Sequence, residues 1–333
     1  MMKLVDRYTI YIRDIKRYSS RTVDIYTSVL KDFLKMSFGE ELRDISDDDV
    51  VSVMSTSMIR RYQMSLMESE PPKDPKTVGL HLSALSSFCR FLMKEGRISS
   101  NPVSYIPKPK IPKRLPVFFR NETMEKYFQR TEIYASQEFL DCFCATEEQN
   151  KRKYLYEMRL SRLVISMLYG LGLRRSELIS LDVSDVDFGR KVVKVTGKGD
   201  KKREIPVVGV LCEEILLYLK AVEALCGCER SLKEPLLVTY SLRRLYPVYV
   251  DRVVKKEISS DDGAAGRKSP HALRHSLATE LLNAGTDLNS IKEMLGHSSL
   301  AATQVYTHNT VAKLKNIYKQ AHPRAKNGGK HGD

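Results

Sequence analysis

Arginine or histidine stands in three short stretches of this 333-residue chain, and each stretch could hold an anion. Gly170-Leu171-Gly172-Leu173-Arg174-Arg175-Ser176-Glu177-Leu178 sets two arginines at the start of a helix, just after a glycine turn. Backbone N–H groups there already favour negative charge. His271-Ala272-Leu273-Arg274-His275 puts His271 and Arg274 three residues apart, on one helical face. Leu295-Gly296-His297 leaves His297 just past a helix end, and Tyr306 follows nine residues later within Thr303-Gln304-Val305-Tyr306-Thr307-His308.

Such residue types suit a phosphodiester. It carries one full negative charge, and attack at phosphorus spreads more over its non-bridging oxygens. Arginine neutralises that charge best, because its planar fork donates two parallel hydrogen bonds and keeps its proton. A metal ion could do the same work. His271 and His275 stand at a chelating i, i+4 spacing, but no third ligand lies nearby in sequence, no HExxH pattern occurs and no DxD pair clusters with them. Neither a metal nor another cofactor is expected. Taken singly, each residue has a blander role: one tyrosine among 17 is more often a packing group than a nucleophile, and a lone histidine is more often structural. The ordered set is what carries chemistry.

Composition points to the same class of partner. Lysine and arginine number 55 and acids 41, a net charge of +14 that favours polyanions, either nucleic acid or an anionic membrane surface. Hydrophobic residues at 42% allow a buried core. No run of about 18 apolar residues occurs, so a membrane span is not expected. The opening Met1-Met2-Lys3-Leu4-Val5-Asp6-Arg7 lacks an export signal, which points to the cytoplasm. The six cysteines include the pairs Cys142/Cys144 and Cys226/Cys228. One residue separates each pair, less than zinc knuckles have, and reduced thiols are expected.

The elements that must position these residues follow from periodicity. Val5, Tyr8, Ile12 and Ile15 step by three and four, as one helical face does. Tyr26, Val29, Leu30, Phe33 and Leu34 repeat the pattern after the Ser19-Ser20 break. A third helix starts at Asp74-Pro75, a cap followed by proline, and turns Val78, Leu82, Leu85, Phe88 and Leu92 inward. Pro107-Lys108-Pro109-Lys110-Ile111-Pro112-Lys113-Arg114-Leu115-Pro116 reads as a stiff basic linker that could lie along phosphates. Beyond it the pattern is mixed. Leu160–Leu173 is an apolar helix ending near Gly172. Lys191–Thr196 and Arg203–Val208 flank Gly197-Lys198-Gly199-Asp200 as a hairpin. Ala272–Ala284 and Leu288–Leu295 are helical, the latter closed by Gly296 in a left-handed cap. A helix-compatible stretch through Tyr318 and a polar tail follow.

The series G-L-R-x-S-E-L at 172–178, G-K-G at 197–199, H-x-L-R-H at 271–275, L-G-H at 295–297 and the following Tyr306 resembles the tyrosine recombinase (phage integrase) family. His322-Pro323-Arg324-Ala325 and the Pro-Lys-rich linker are most similar to its Xer-type members. The resemblance covers nearly the whole chain. It implies a mainly α fold with a small β-sheet: a helical core-binding (SAM-like) domain at 1–106, a linker at 107–116, a mixed α/β catalytic domain at 117–325, and a tail at 326–333.

It also implies roles. Arg174 and Arg274 would clamp the scissile phosphate, the motif register selecting Arg174 over Arg175. Lys198 would protonate the departing 5′ oxygen, and His271 and His297 would hydrogen-bond the phosphate and assist proton movement. Tyr306 would be the nucleophile of a 3′-phosphotyrosyl intermediate, with Glu177 in support. The partner would be double-stranded DNA with a specific recombination site, held by a tetramer. A second recombinase in that assembly and a DNA translocase as activator stay open. The setting would be the bacterial nucleoid, and the outcome chromosome dimer resolution or mobile-element integration and excision. Two rival readings remain: relaxation by a type IB topoisomerase, and a catalytically inactive architectural DNA-binding protein. The stretch Arg130–Met158 is longer than the resemblance leads one to expect, and reads as an exposed loop or an extra helical hairpin.

Overall fold

The computed structural model describes residues 4–39, 45–110, 119, 121–197, 201–258 and 268–296. The chain divides into two units, Met1–Arg114 and Leu115–Asp333. Both are built mainly of helices, and one small sheet lies in the second.

In the first unit the helices are α1 (Leu4–Ile10), α2 (Ser20–Phe38), α3 (Asp47–Ser52), α4 (Thr56–Glu68) and α5 (Pro75–Lys94). Their starts are set by side-chain caps. Ser19 accepts from the Thr22 N–H, Ser46 and Asp49 form a capping box, and Asp74 accepts from the Thr77 N–H at 2.8 Å ahead of Pro75. The apolar stripes of α2 and α5 face one another and close the core, with Val29, Leu30, Phe33 and Leu34 buried beside Val78, Leu82, Leu85, Phe88 and Leu92. Ile15 departs from its expected face and is 63% exposed. The backbone widens into a π-helix over Tyr11–Ile15, which breaks the 3.6-residue period that would have carried Ile15 inward.

The second unit runs α6 (Asn121–Arg130), α7 (Gln137–Ala145), α8 (Gln149–Gly170), α9 (Arg175–Ser180), β1 (Val186–Asp187), β2 (Val192–Thr196), β3 (Lys202–Pro206), α10 (Gly209–Cys226), α11 (Pro247–Glu257), α12 (Pro270–Asn283) and α13 (Leu288–Leu295). α8 is the central element and packs against α7, α10, α11 and α12. It begins at Gln149, where the sequence suggested Leu160. Arg159 and Arg162, 1% and 3% exposed, interrupt the apolar pattern but lie inside it. Arg159 donates to the Ser136 carbonyl at 2.6 Å; Arg162 donates to the Phe128 carbonyl at 2.8 Å and faces Glu214 at 3.3 Å. The long 130–158 stretch thus becomes α7 and the first turns of α8, anchored by Leu140, Phe143, Leu155 and Tyr156. Among the described residues no helix is long and apolar enough to cross a membrane.

The three strands form an antiparallel sheet in the order β1-β2-β3, with Val195 opposite Arg203 and Thr196 opposite Lys202. Gly197 N–H continues the β2–β3 hairpin by donating to the Lys201 carbonyl at 2.8 Å. Gly172, at φ +59°, turns the chain from α8 into α9; Gly296, at φ +66°, follows the last turn of α13 as expected.

Candidate active site

Arg174 is the residue immediately before α9. Its backbone N–H donates to Glu177 Oε2 at 2.8 Å, which caps the helix, and its Nη1 donates to Glu177 Oε1 at 2.6 Å. Its Nη2 donates to the Gly296 carbonyl at 2.6 Å. Arg175, the neighbour with an equal claim from composition alone, turns away and pairs with Asp251 on α11. The doubled arginine therefore brings a carboxylate partner with it, and the two side chains serve different elements.

Arg274 sits in the second turn of α12, a helix started by Ser269, which accepts from the Ala272 N–H, and by Pro270. Ala272, Leu273, Leu277 and Leu281 bury the same helix, which holds Arg274 at 6% exposure. Its Nη1 donates to the Gly172 carbonyl at 2.5 Å and its Nη2 to the Leu295 carbonyl. Burial, with Arg174 beside it, lowers the Arg274 guanidinium to about 10, so it still carries its charge at neutral pH.

A third arginine, not singled out by sequence, completes the arrangement. Arg203 on β3 is 7% exposed; its Nε donates to the Met294 carbonyl at 2.9 Å, and its Nη1 and Nη2 grip Glu177 Oε1 and Oε2 at 2.9 and 2.8 Å. The carbonyls of Met294, Leu295 and Gly296 thus each accept from a different arginine: Arg203, Arg274 and Arg174 in turn. The last carbonyls of a helix lack intrahelical partners and carry its negative pole, so a cation at each is favoured. Sequence could have suggested Arg203 only through alternation on β3, where it falls among inward-facing positions.

Burial alone would raise the Glu177 carboxyl, but the Arg203 guanidinium and then Arg174 outweigh it and hold it down at about 2. Three guanidinium groups and one carboxylate leave two positive charges in a partly water-excluded pocket. That balance suits a phosphodiester whose charge grows toward two during substitution. His271, one turn before Arg274, is held below its ordinary value by partial burial and by its neighbours Arg274, His275, Arg175 and Arg174. It is therefore neutral at pH 7, able to accept a proton or a hydrogen bond.

Of the six expected site residues, Arg174, His271 and Arg274 are brought into this one neighbourhood. Lys198, His297 and Tyr306 lie outside the described residues. For the first two of these the chain reaches the border inside it: Gly197 precedes Lys198, and Gly296, which accepts from Arg174, precedes His297. An ideal Cβ on Gly197 would stand 3.6 Å from both Arg203 Nη1 and Glu177 Oε1, so the hairpin lies directly against this ion cluster.

Comparison with known proteins gives a consistent set of matches. The pattern described as "Phage integrase family" matches residues 145–313, and that described as "Phage integrase, N-terminal SAM-like domain" matches residues 5–96. Tyrosine recombinase XerC of Chlorobaculum tepidum is 34% identical over 327 residues, spanning 96% of this chain and 94% of that protein. Tyrosine recombinase XerC of Pelotomaculum thermopropionicum is 32% identical over 329 residues, spanning 97% and 98%. Among solved structures, the Tn1549 transposon integrase in complex with transposon right end DNA has a TM-score of 0.59 at 19% identity, over 94% of this chain and 98% of that one. A lambda integrase dimer bound to a COC′ core site has a TM-score of 0.57 at 19% identity, over 91% and 98%. At these identities the structural likeness is one of fold.

Proposed function

We propose, for a chain that belongs to the phage integrase family of tyrosine recombinases, that Arg174 and Arg274 clamp one scissile phosphate of duplex DNA while Tyr306 attacks it. The family cleaves and rejoins DNA, and the Xer-type relatives favour site-specific recombination over bare relaxation or passive DNA binding. The observation that carries the reading is the seating of Arg174 and Arg274 on the consecutive carbonyls of Gly296 and Leu295, with neutral His271 one turn away.

The Tyr306 hydroxyl passes its proton to the neutral His271 imidazole, directly or through water, as its oxygen bonds to phosphorus. A free tyrosine titrates near 10, so forming phenolate at pH 7 costs about 4 kcal/mol. A guanidinium pair on the phosphate offsets this by stabilising the charge that attack creates. The bond from phosphorus to the 5′ oxygen then breaks, and that oxygen, a poor leaving group as alkoxide, takes a proton from Lys198. His271 and His297 hydrogen-bond the phosphate and carry protons. The 3′-phosphotyrosyl link preserves the phosphodiester's energy, so a second 5′ hydroxyl can reverse the step onto another strand.

The same reading extends to assembly. Four protomers on two sites would exchange strands through a Holliday junction, the segment around Val311, Leu314, Ile317 and Tyr318 docking on a neighbour. A second recombinase could fill half of that tetramer, and a DNA translocase could trigger it. The outcome would be resolution of chromosome dimers, or integration and excision of a mobile element, at the bacterial nucleoid. Tyr306→Phe tests the chemistry: on a nicked suicide substrate it should bind DNA as the wild type does and form no covalent adduct. Adduct at wild-type yield would remove Tyr306 as the nucleophile.

A further inference from the structure

Arg203 is spent entirely on the protein. All three of its side-chain nitrogens donate to protein acceptors, one to the Met294 carbonyl and two to the Glu177 carboxylate. It is 7% exposed, so it does not present a face to a phosphate in the way Arg174, at 30%, does. Its surroundings leave it little room. An ideal Cβ on Gly296 would stand 3.2 to 3.4 Å from its Nη1, Cζ and Cδ, tighter than ordinary van der Waals contact. From its own strand β3 it joins two other pieces of the chain: the N-terminus of α9, where Glu177 holds Arg174, and the end of α13, where Met294 lies just before the Leu295 and Gly296 carbonyls.

We propose that Arg203 is a positioning residue of the strand-cleavage reaction: by tying the Met294 carbonyl to both oxygens of Glu177, it fixes where Arg174 and Arg274 meet the phosphate. The inference rests on the reading of the site given above. Glu177 has two guanidinium partners. With Arg203 gone, its whole charge falls on Arg174, whose fork must also reach the Gly296 carbonyl and the substrate. The Met294 carbonyl loses its donor, so the end of α13, whose next two carbonyls seat Arg274 and Arg174, is free to shift. An ångström of misplacement in a clamp of this kind costs about a hundredfold in rate.

The test is single-turnover adduct formation on a nicked suicide substrate at saturating DNA, with wild type, Arg203→Met and Arg203→Lys. Rate constant and amplitude separate two explanations. A positioning defect lowers the rate constant at unchanged amplitude; a folding defect lowers the amplitude, the fraction of competent molecules, at unchanged rate constant. We expect Arg203→Met to be slower by about 10²-fold, with the DNA dissociation constant within about threefold of wild type. Arg203→Lys keeps the charge and can satisfy one acceptor but not three, and should recover part of the rate. If Arg203→Met does not fold, Arg203→Lys decides: full amplitude at a reduced rate constant supports the inference. Either variant at the wild-type rate constant, or a loss confined to amplitude or to DNA affinity, overturns it. Absence of any adduct from the wild type would instead overturn the recombinase reading.

Discussion

At the scale of single residues the ion cluster around Glu177 holds the site together, and its energetics set a pH dependence. The carboxyl is ordinarily near 4.5 and lies at about 2 in the fold, a contribution on the order of 3 kcal/mol to folding at neutral pH. Because the folded value is the lower one, that stability is fully present above about 4.5 and is lost as the pH falls toward 2. Glu177→Gln removes the charge and leaves buried Arg203 facing a neutral amide, so it should cost about 3 kcal/mol at pH 7 by urea denaturation. The gap between the two proteins should narrow as pH falls below about 4.5; a gap constant down to pH 3 would contradict the assignment. Arg174, His271 and Arg274 were legible in the sequence because their motifs are short and local. Arg203 was not, since its partners Glu177 and Met294 are 26 and 91 positions away.

At the scale of elements, the site depends on the turns that bring α9, α12 and α13 together. Gly172 is the tightest of these. At φ +59° its ideal Cβ would stand 2.5 Å from Leu295 Cδ2 and 3.0 Å from Leu277 Cδ2, and its carbonyl holds Arg274. Gly172→Ala should destabilise the protein by about 1–3 kcal/mol through left-handed backbone strain and overpacking. It should also slow cleavage beyond what the unfolded fraction explains, because the Arg274 carbonyl partner moves with it. A thermal melt paired with single-turnover cleavage checks both. Helices α1, α2 and α5 and strands β2 and β3 were legible because clean apolar periods and a Gly-Lys-Gly turn announce them, whereas α3 and α4 were not singled out. The early start of α8 was not: Arg159 and Arg162 look like surface residues until Ser136, Phe128 and Glu214 are seen to satisfy them. The π-helix at Tyr11–Ile15 was equally silent, as no residue type in it demands the wider turn.

At the scale of the whole molecule, a net charge of +14 favours phosphates at the surface, and under the proposed function the cluster with two uncompensated positive charges would select one of them for chemistry. Sequence order and the family resemblance together propose the residues that such a reaction would use; what they could not supply was the anchoring of three arginines on three successive carbonyls. The most direct test of the account is to trap the wild-type protein on nicked DNA made from the genomic fragments it crosslinks to, digest the adduct, and locate the nucleotide by mass spectrometry. The account predicts a 3′-phosphate joined to Tyr306 and nowhere else. A link to another of the 17 tyrosines, or to a serine, would contradict it.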